Sequence, residues 1–292
     1  MRAKIGNKIV AEALTGVPER GCLALSAGAG LFTDAGATRI AERSGEDLIM
    51  ATQGTVLVVS AHAGDFVWRA GGAIAASTAR GDRAVVVCLS YGERGESASQ
   101  WLAGKSLEEI KALRRSEAEA AAGALGAEIE FLDAGDYPLL PSRELLDQLV
   151  RIYRRVQPTV VLTHPLSDPY NGDHPAAARL AIEARILAQA IGYDAPGEVL
   201  GAPPVFFFEP HQPEQCDFKP DVLLDITAAF PAKQKAMECL PAQQHMWDYY
   251  TSLAVRRGVQ VKRNAGPNLG LPVDTKGEAY MRFYPQVTEV LE

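Results

Sequence analysis

From Thr55 onward, short runs of branched apolar residues alternate with longer stretches of helical spacing, and this alternation constrains the fold more than any other feature of the chain. The run TVLVVS at Thr55–Ser60 is almost continuously apolar, as a strand covered on both faces must be. Similar runs predict strands at residues 84–90, 128–132, 159–163, 205–208 and 221–226. Between and after them, helices are predicted over 67–80, 106–125, 143–156, 175–190, 232–240 and 243–255. Local signals set several boundaries. Ser106 and Glu109 have capping-box spacing, Gly126 stops that helix, and Pro158 follows the next one. Strands separated by helices pair in parallel through right-handed crossovers, so a mostly parallel α/β sheet is expected.

Residues 1–49 do not share this pattern. They are Gly/Ala-rich with weak periodicity, and their mildly apolar stretch at 22–32 begins too far from the N-terminus for a secretory signal. The expectation is an N-terminal extension, either poorly ordered or a misassigned start with Met50 as the natural one. Residues 50–292 then form a single catalytic domain with a C-terminal cap region. A net charge of -7 excludes general nucleic-acid binding, which needs a basic surface. No apolar run reaches the length of about 20 residues that a membrane span requires. The four cysteines are scattered without a CxxC pair, which fits a reducing cytoplasm.

In parallel α/β sheets, ligands bind beyond the carboxyl ends of the strands. His62, residues 91–96, residues 133–137, His164 and residues 209–211 all follow predicted strands, so the polar chemistry gathers on one edge. His62 and Asp65 are three apart in a strand-to-helix turn. An imidazole and a carboxylate suit Zn²⁺, and equally Fe²⁺ or Mn²⁺. The alternative is that Asp65 only caps the helix and His62 packs in the turn, and spacing alone leaves both open. Asp173-His174-Pro175 adds a second histidine at a helix start, with Pro175 at the first helical position and Asp173 placed to orient His174 from behind. His164 is expected behind the ligands as well, or simply in a structural hydrogen bond after its strand.

The pattern SAHAGD…GG at 60–72, followed by DHPAA at 173–177, resembles the PIG-L/LmbE superfamily of zinc-dependent N-deacetylases, usually AHPDD…GG and then DHxxA. The resemblance implies a Rossmann-like sheet with helices on both faces, one Zn²⁺, and His62, Asp65 and His174 as its ligands. Two departures stand out. Gly64 occupies the position of the deacetylase general base, and Asn171 that of the oxyanion-stabilising histidine. Longer strings resemble one branch of that superfamily, the 4-oxalomesaconate hydratases. They include AHAGDFVWRAGGAIA, CLSYGERGESA, DPYNGDHP, GAPPVFFFEPHQPEQC and GVQVKRN, and the match runs from about Met50 to the C-terminus.

That resemblance implies addition of water to a conjugated double bond in a small tricarboxylate, and a homo-oligomer. Without the missing base, Glu96 in GERGES and His211 between two prolines are the candidate acid–base pair, with the two roles unassigned. A solvated loop charge and a packed histidine are the competing readings of these residues. Arg69, Arg94, Asn171 and Arg263 are the candidate substrate-binding residues, since arginine pairs naturally with carboxylates. Two rival functions remain open from sequence: a deacetylase with Glu96 as substitute base, and a metal-dependent binding protein without turnover.

Overall fold

The computed structural model describes residues 53–265 and 271–288, so the expected extension over 1–49 lies outside the described residues. The order is β1 (Thr55–Ser60), α1 (Asp65–Ala79), β2 (Arg83–Cys88), α2 (Ala98–Leu102), α3 (Leu107–Leu125), β3 (Glu128–Phe131), α4 (Arg143–Val156), β4 (Val160–Thr163), α5 (Asp173–Gln189), β5 (Val205–Phe208), β6 (Val222–Asp225), α6 (Phe230–Glu238), α7 (Trp247–Asn264) and β7 (Gly277–Arg282). Short 3-10 turns at Pro213–Gln215 and Pro241–Met246 complete it.

The seven strands form one sheet in the order β3-β2-β1-β4-β5-β7-β6. The first five are parallel, and β7 enters antiparallel between β5 and β6. Strand order reverses between β1 and β4, which pair with Val58 opposite Leu162. The crevice above this reversal is where such sheets bind ligands.

Side-chain alternation along β1 sends residues to two cores. Leu57 and Val59 pack with α4 and α5 through Leu149, Tyr153, Leu180 and Ala184. Val56 and Val58 pack with α1 and α3 through Phe66, Val67, Ile74 and Ala118, and with Met237 of α6. Helices therefore cover both faces, and the sheet is held rigid from either side. α3 begins at the expected capping box and ends on left-handed Gly126.

Three features depart from the sequence reading. α2 has only five residues and no buried side chain, so no periodicity announces it. The expected helix over 243–255 divides between Met246 and Trp247 into a 3-10 turn, itself kinked at a non-helical Gln243, and α7. No strand is predicted at 277–282, where β7 carries a buried Glu278. Its carboxylate accepts hydrogen bonds from Lys233 Nζ (2.7 Å), Tyr280 Oη (2.6 Å) and the Gly72 and Ala73 amides of α1 (2.7 and 2.9 Å).

A candidate metal centre in a catalytic cavity

The turn after β1 puts His62 and Asp65 at the centre of the strand-order reversal. Both are buried, and Asp65 Oδ2 accepts the His62 backbone N–H at 2.9 Å. His174 arrives from the first turn of α5, following β4. Its Nε2 lies 3.6 Å from Asp65 Oδ1. Glu96, from the loop after β2, brings Oε1 to 3.4 Å from His62 Nδ1. One donor atom from each of His62, Asp65, Glu96 and His174 falls within 4.8 Å of the other three. The structure thus unites the three expected ligands and adds Glu96 beside them.

The donor atoms fit a metal ion. His62 Nδ1, His174 Nε2 and Glu96 Oε2 are all buried without a hydrogen-bond partner. Buried polar atoms are rarely left so, and the two imidazole nitrogens both face the Asp65 carboxylate, at 3.2 and 3.6 Å. The other nitrogen of each histidine is held by a carboxylate: His62 Nε2 by Asp173 Oδ2 at 3.1 Å, and His174 Nδ1 by Asp168 Oδ2 at 2.7 Å. A carboxylate fixes a proton on the nitrogen it faces and turns the opposite lone pair inward. This corrects the expectation that Asp173 orients His174. Successive residues of a helical turn point about 100° apart, so Asp173 faces His62, and the preceding loop supplies Asp168 for His174.

Protonation follows from this geometry. Burial alone would strip His62 of charge, but Glu96, Asp173 and Asp65 outweigh it and raise its pKa well above the ordinary value. The same carboxylates would draw any cation. Burial, with neighbouring His164 and Arg69, holds His174 well below its ordinary value. Burial resists ionisation of Asp173, yet His62 and the Leu139 and Tyr137 amides bring its pKa down to about 2. His164 stacks on His174 with ring centroids 4.2 Å apart, and its Nε2 accepts the Ala61 N–H at 3.0 Å. Burial lowers it to about 4, so it is an uncharged wall behind the ligands.

These residues open into a cavity of about 510 Å³, lined among others by Arg69, Glu96, Tyr137, Asn171, His174 and His211. Arg69 is buried, lies 3.4 Å from Asp65 through Nε, and leaves Nε and Nη1 without hydrogen-bond partners. His211 follows β5, and its ring packs against Tyr249 and Tyr250. The residue as a whole is exposed, but packing around the ring, together with the Arg69 cation, lowers its pKa to about 4.

Two expected substrate contacts lie elsewhere. Arg94 turns from the cavity to Glu93 and Asp136, at 3.4 and 3.6 Å. Arg263 is exposed on the last turn of α7. The helical rise carries it roughly 24 Å from Trp247, next to the cavity wall. Neither lines the cavity.

Other residues had no clear sequence signal. A Cβ at Gly64 would sit 2.3 Å from Gln243 Oε1 and 2.9 Å from Trp68 Nε1. Gln243 is held there by fully buried Arg114 at 2.7 Å and by Trp68 at 3.3 Å. Arg114 also reaches within 3.6 Å of Glu96 Oε2. The space beside Gly64 is thus filled from the C-terminal part of the chain, which no local motif reveals.

Comparison with known proteins matches residues 57–185 to the PIG-L family model, described as GlcNAc-PI de-N-acetylase. The chain is 53% identical over 240 residues to the 4-oxalmesaconate hydratase of Pseudomonas putida, covering 82% of this chain and 93% of that protein. It superposes on the crystal structure of the 4-carboxy-2-hydroxymuconate hydratase from P. putida with a TM-score of 0.80 at 52% identity, covering 82% of this chain and all (100%) of that one. The diacetylchitobiose deacetylase of Thermococcus kodakarensis is 29% identical over 205 residues, covering 67% of this chain and 73% of that protein.

Proposed function

The chain belongs to the PIG-L family, and from that premise we propose that it is a hydro-lyase that adds water to 4-oxalomesaconate, giving 4-carboxy-4-hydroxy-2-oxoadipate in gallate degradation. The names 4-oxalmesaconate hydratase and 4-carboxy-2-hydroxymuconate hydratase, carried by the P. putida matches, denote the keto and enol forms of one substrate. The observation that carries the reading is Gly64. Its lack of a side chain leaves no carboxylate beside Asp65, and buried Gln243 fills the space. A deacetylase base is therefore missing where the resemblance requires one, while acid–base groups line the cavity elsewhere.

His62, Asp65 and His174 would hold the metal, with Glu96 beside them, and zinc is the proposed ion, as the resemblance implies and as imidazole and carboxylate donors allow. When bound, the ion supplies Lewis acidity toward oxygen. The remaining chemistry belongs to the chain. Hydration bonds a hydroxyl to one carbon of the double bond, shifts the π electrons toward the conjugated carboxylate, and delivers a proton to the other carbon. Glu96 and His211 are the proposed acid–base pair, and His211 enters uncharged. Arg69, which lines the cavity and leaves Nη1 without a hydrogen-bond partner, pairs with a substrate carboxylate. A cytoplasmic location and a homo-oligomer are part of the proposal. The buried free thiols of Cys88 and Cys216 support the former.

The test incubates pure protein separately with 4-oxalomesaconate and with N-acetylated sugars. Loss of conjugated absorbance without acetate release is expected. Acetate release without hydration would make the chain a deacetylase, and silence in both with metal bound would make it a binding protein.

A further inference from the structure

Tyr137 lines the cavity at the metal end, its ring centroid 6.0 Å from that of His62. Its backbone holds the left-handed conformation (φ 46°), which a residue of this size adopts only when its surroundings impose it. Two contacts do so. The Tyr137 amide donates to Asp173 Oδ2 at 2.9 Å. The ring lies so close over Gly95 that a Cβ there would fall 1.9 Å from Cε2.

The hydrogen bonds around the phenol have one direction. Asn171 Oδ1 accepts the Asp173 N–H at 3.0 Å, which fixes the amide and points Nδ2 the other way. Asn171 Nδ2 then donates to Tyr137 Oη at 3.0 Å. A phenol oxygen that accepts from an amide keeps its own hydrogen for another partner. No protein acceptor for that hydrogen is found among the described residues, and Tyr137, 48% exposed, lines the cavity.

We propose that Tyr137 donates this hydrogen bond to the substrate oxygen that gains charge as water adds, and that Asn171 is its positioning residue rather than a substrate contact. Burial first, and nearby Glu96 and Asp173 next, raise the phenol pKa to about 12, so the donor keeps its proton at neutral pH. The proposal rests on the hydratase reading, which places the growing charge on the oxygen of a carboxylate conjugated to the hydrated double bond. Preorganised donors of this kind are worth a factor of about 10²–10³ in kcat.

The test compares Tyr137→Phe, Asn171→Asp and the double variant with wild type on 4-oxalomesaconate. Phe keeps the ring over Gly95 and loses only the O–H. An aspartate at 171 still accepts the Asp173 amide, but it has no N–H and draws the phenol hydrogen away from the cavity. Each single variant is expected to lower kcat about 10²-fold with KM within a few-fold, at unchanged melting temperature and metal content. The double variant should be no slower than the slower single one. Wild-type kcat in Tyr137→Phe, or losses that multiply in the double variant, would overturn the proposal. Failure of wild type to hydrate the substrate would instead remove the reading beneath it.

Discussion

At the scale of single residues, the chain spends its histidines in one place. It has five, and His62, His164, His174, His211 and His245 all lie at the metal centre or on the cavity wall. His62, Asp65 and His174 were legible because they fall in a strand-to-helix turn and at helix starts, with ligand spacing. Their orienting carboxylates were not, since which side chain faces which histidine depends on how the loop before α5 meets the turn after β1. Asp168 offers the cleaner test. Its Oδ1 takes the Tyr170 and Asn171 amides at 3.0 and 3.2 Å, so an asparagine must present Nδ2 to His174. Imidazole Nδ1 would then have to accept, placing the hydrogen on the nitrogen meant for the metal. Asp168→Asn should weaken metal binding about 10–100-fold in a chelator competition, with secondary structure unchanged. His211 gives a prediction in pH. Its pKa, lowered to about 4, leaves it uncharged above that value and charged below it. The acid limb of kcat/KM, which reports the free enzyme, should therefore carry no His211 step between pH 7 and about 5. A limb near pH 6.5 that vanishes in His211→Gln would contradict this.

At the scale of elements, the strongly periodic segments were readable and the marginal ones were not. β1, α3 and α4 have the expected boundaries to within a residue or so because apolar period, caps and stops agree. β7 escaped because its pattern GEAYMR reads as polar until Lys233 and the α1 amides are brought to Glu278 by tertiary contact. That contact explains the paired glycines of α1. A Cβ at Gly72 would meet Ile226 Cδ1 at 2.7 Å and Glu278 Oε1 at 2.8 Å. The helix pays for its glycines in propensity, and gains a buried ion pair seated directly on its backbone. Gly72→Ala should thus destabilise by about 1–3 kcal/mol, the usual cost of overpacking, despite the better helix former. Gly123 of α3 is the control, with nothing within 4 Å of its Cβ position. Gly123→Ala should be neutral or stabilise by up to about 1 kcal/mol. Chemical denaturation of both variants decides the comparison; equal effects would show that the α1 contact is loose.

At the scale of the whole molecule, the metal centre ties together segments that are distant in sequence. His62 and Asp65 follow β1, Glu96 follows β2 and His174 opens α5 after β4, while His211 joins the cavity from beyond β5. The sheet order brings these strand ends side by side, and that adjacency was the part of the site most legible in sequence, since strand–helix alternation alone places loops on one edge. The cavity's far wall was hidden, because Gln243 and His245 come from a turn after the last sequence-legible strand. The converging carboxylates and free imidazole nitrogens repel or desolvate one another unless a cation joins them. A metal that binds only the folded chain must then stabilise all of these segments at once. At a free concentration one hundred times its dissociation constant, the gain is about 2.7 kcal/mol. For a domain of this size that corresponds to a shift of about 5–10 °C in Tm. Dialysis against a chelator should lower Tm by this amount, and returning zinc should restore it in proportion to the logarithm of its concentration. His174→Ala should melt at one temperature with or without added zinc. A wild-type Tm indifferent to chelation and to zinc would mean that the four side chains hold no ion, and that the histidines orient substrate instead.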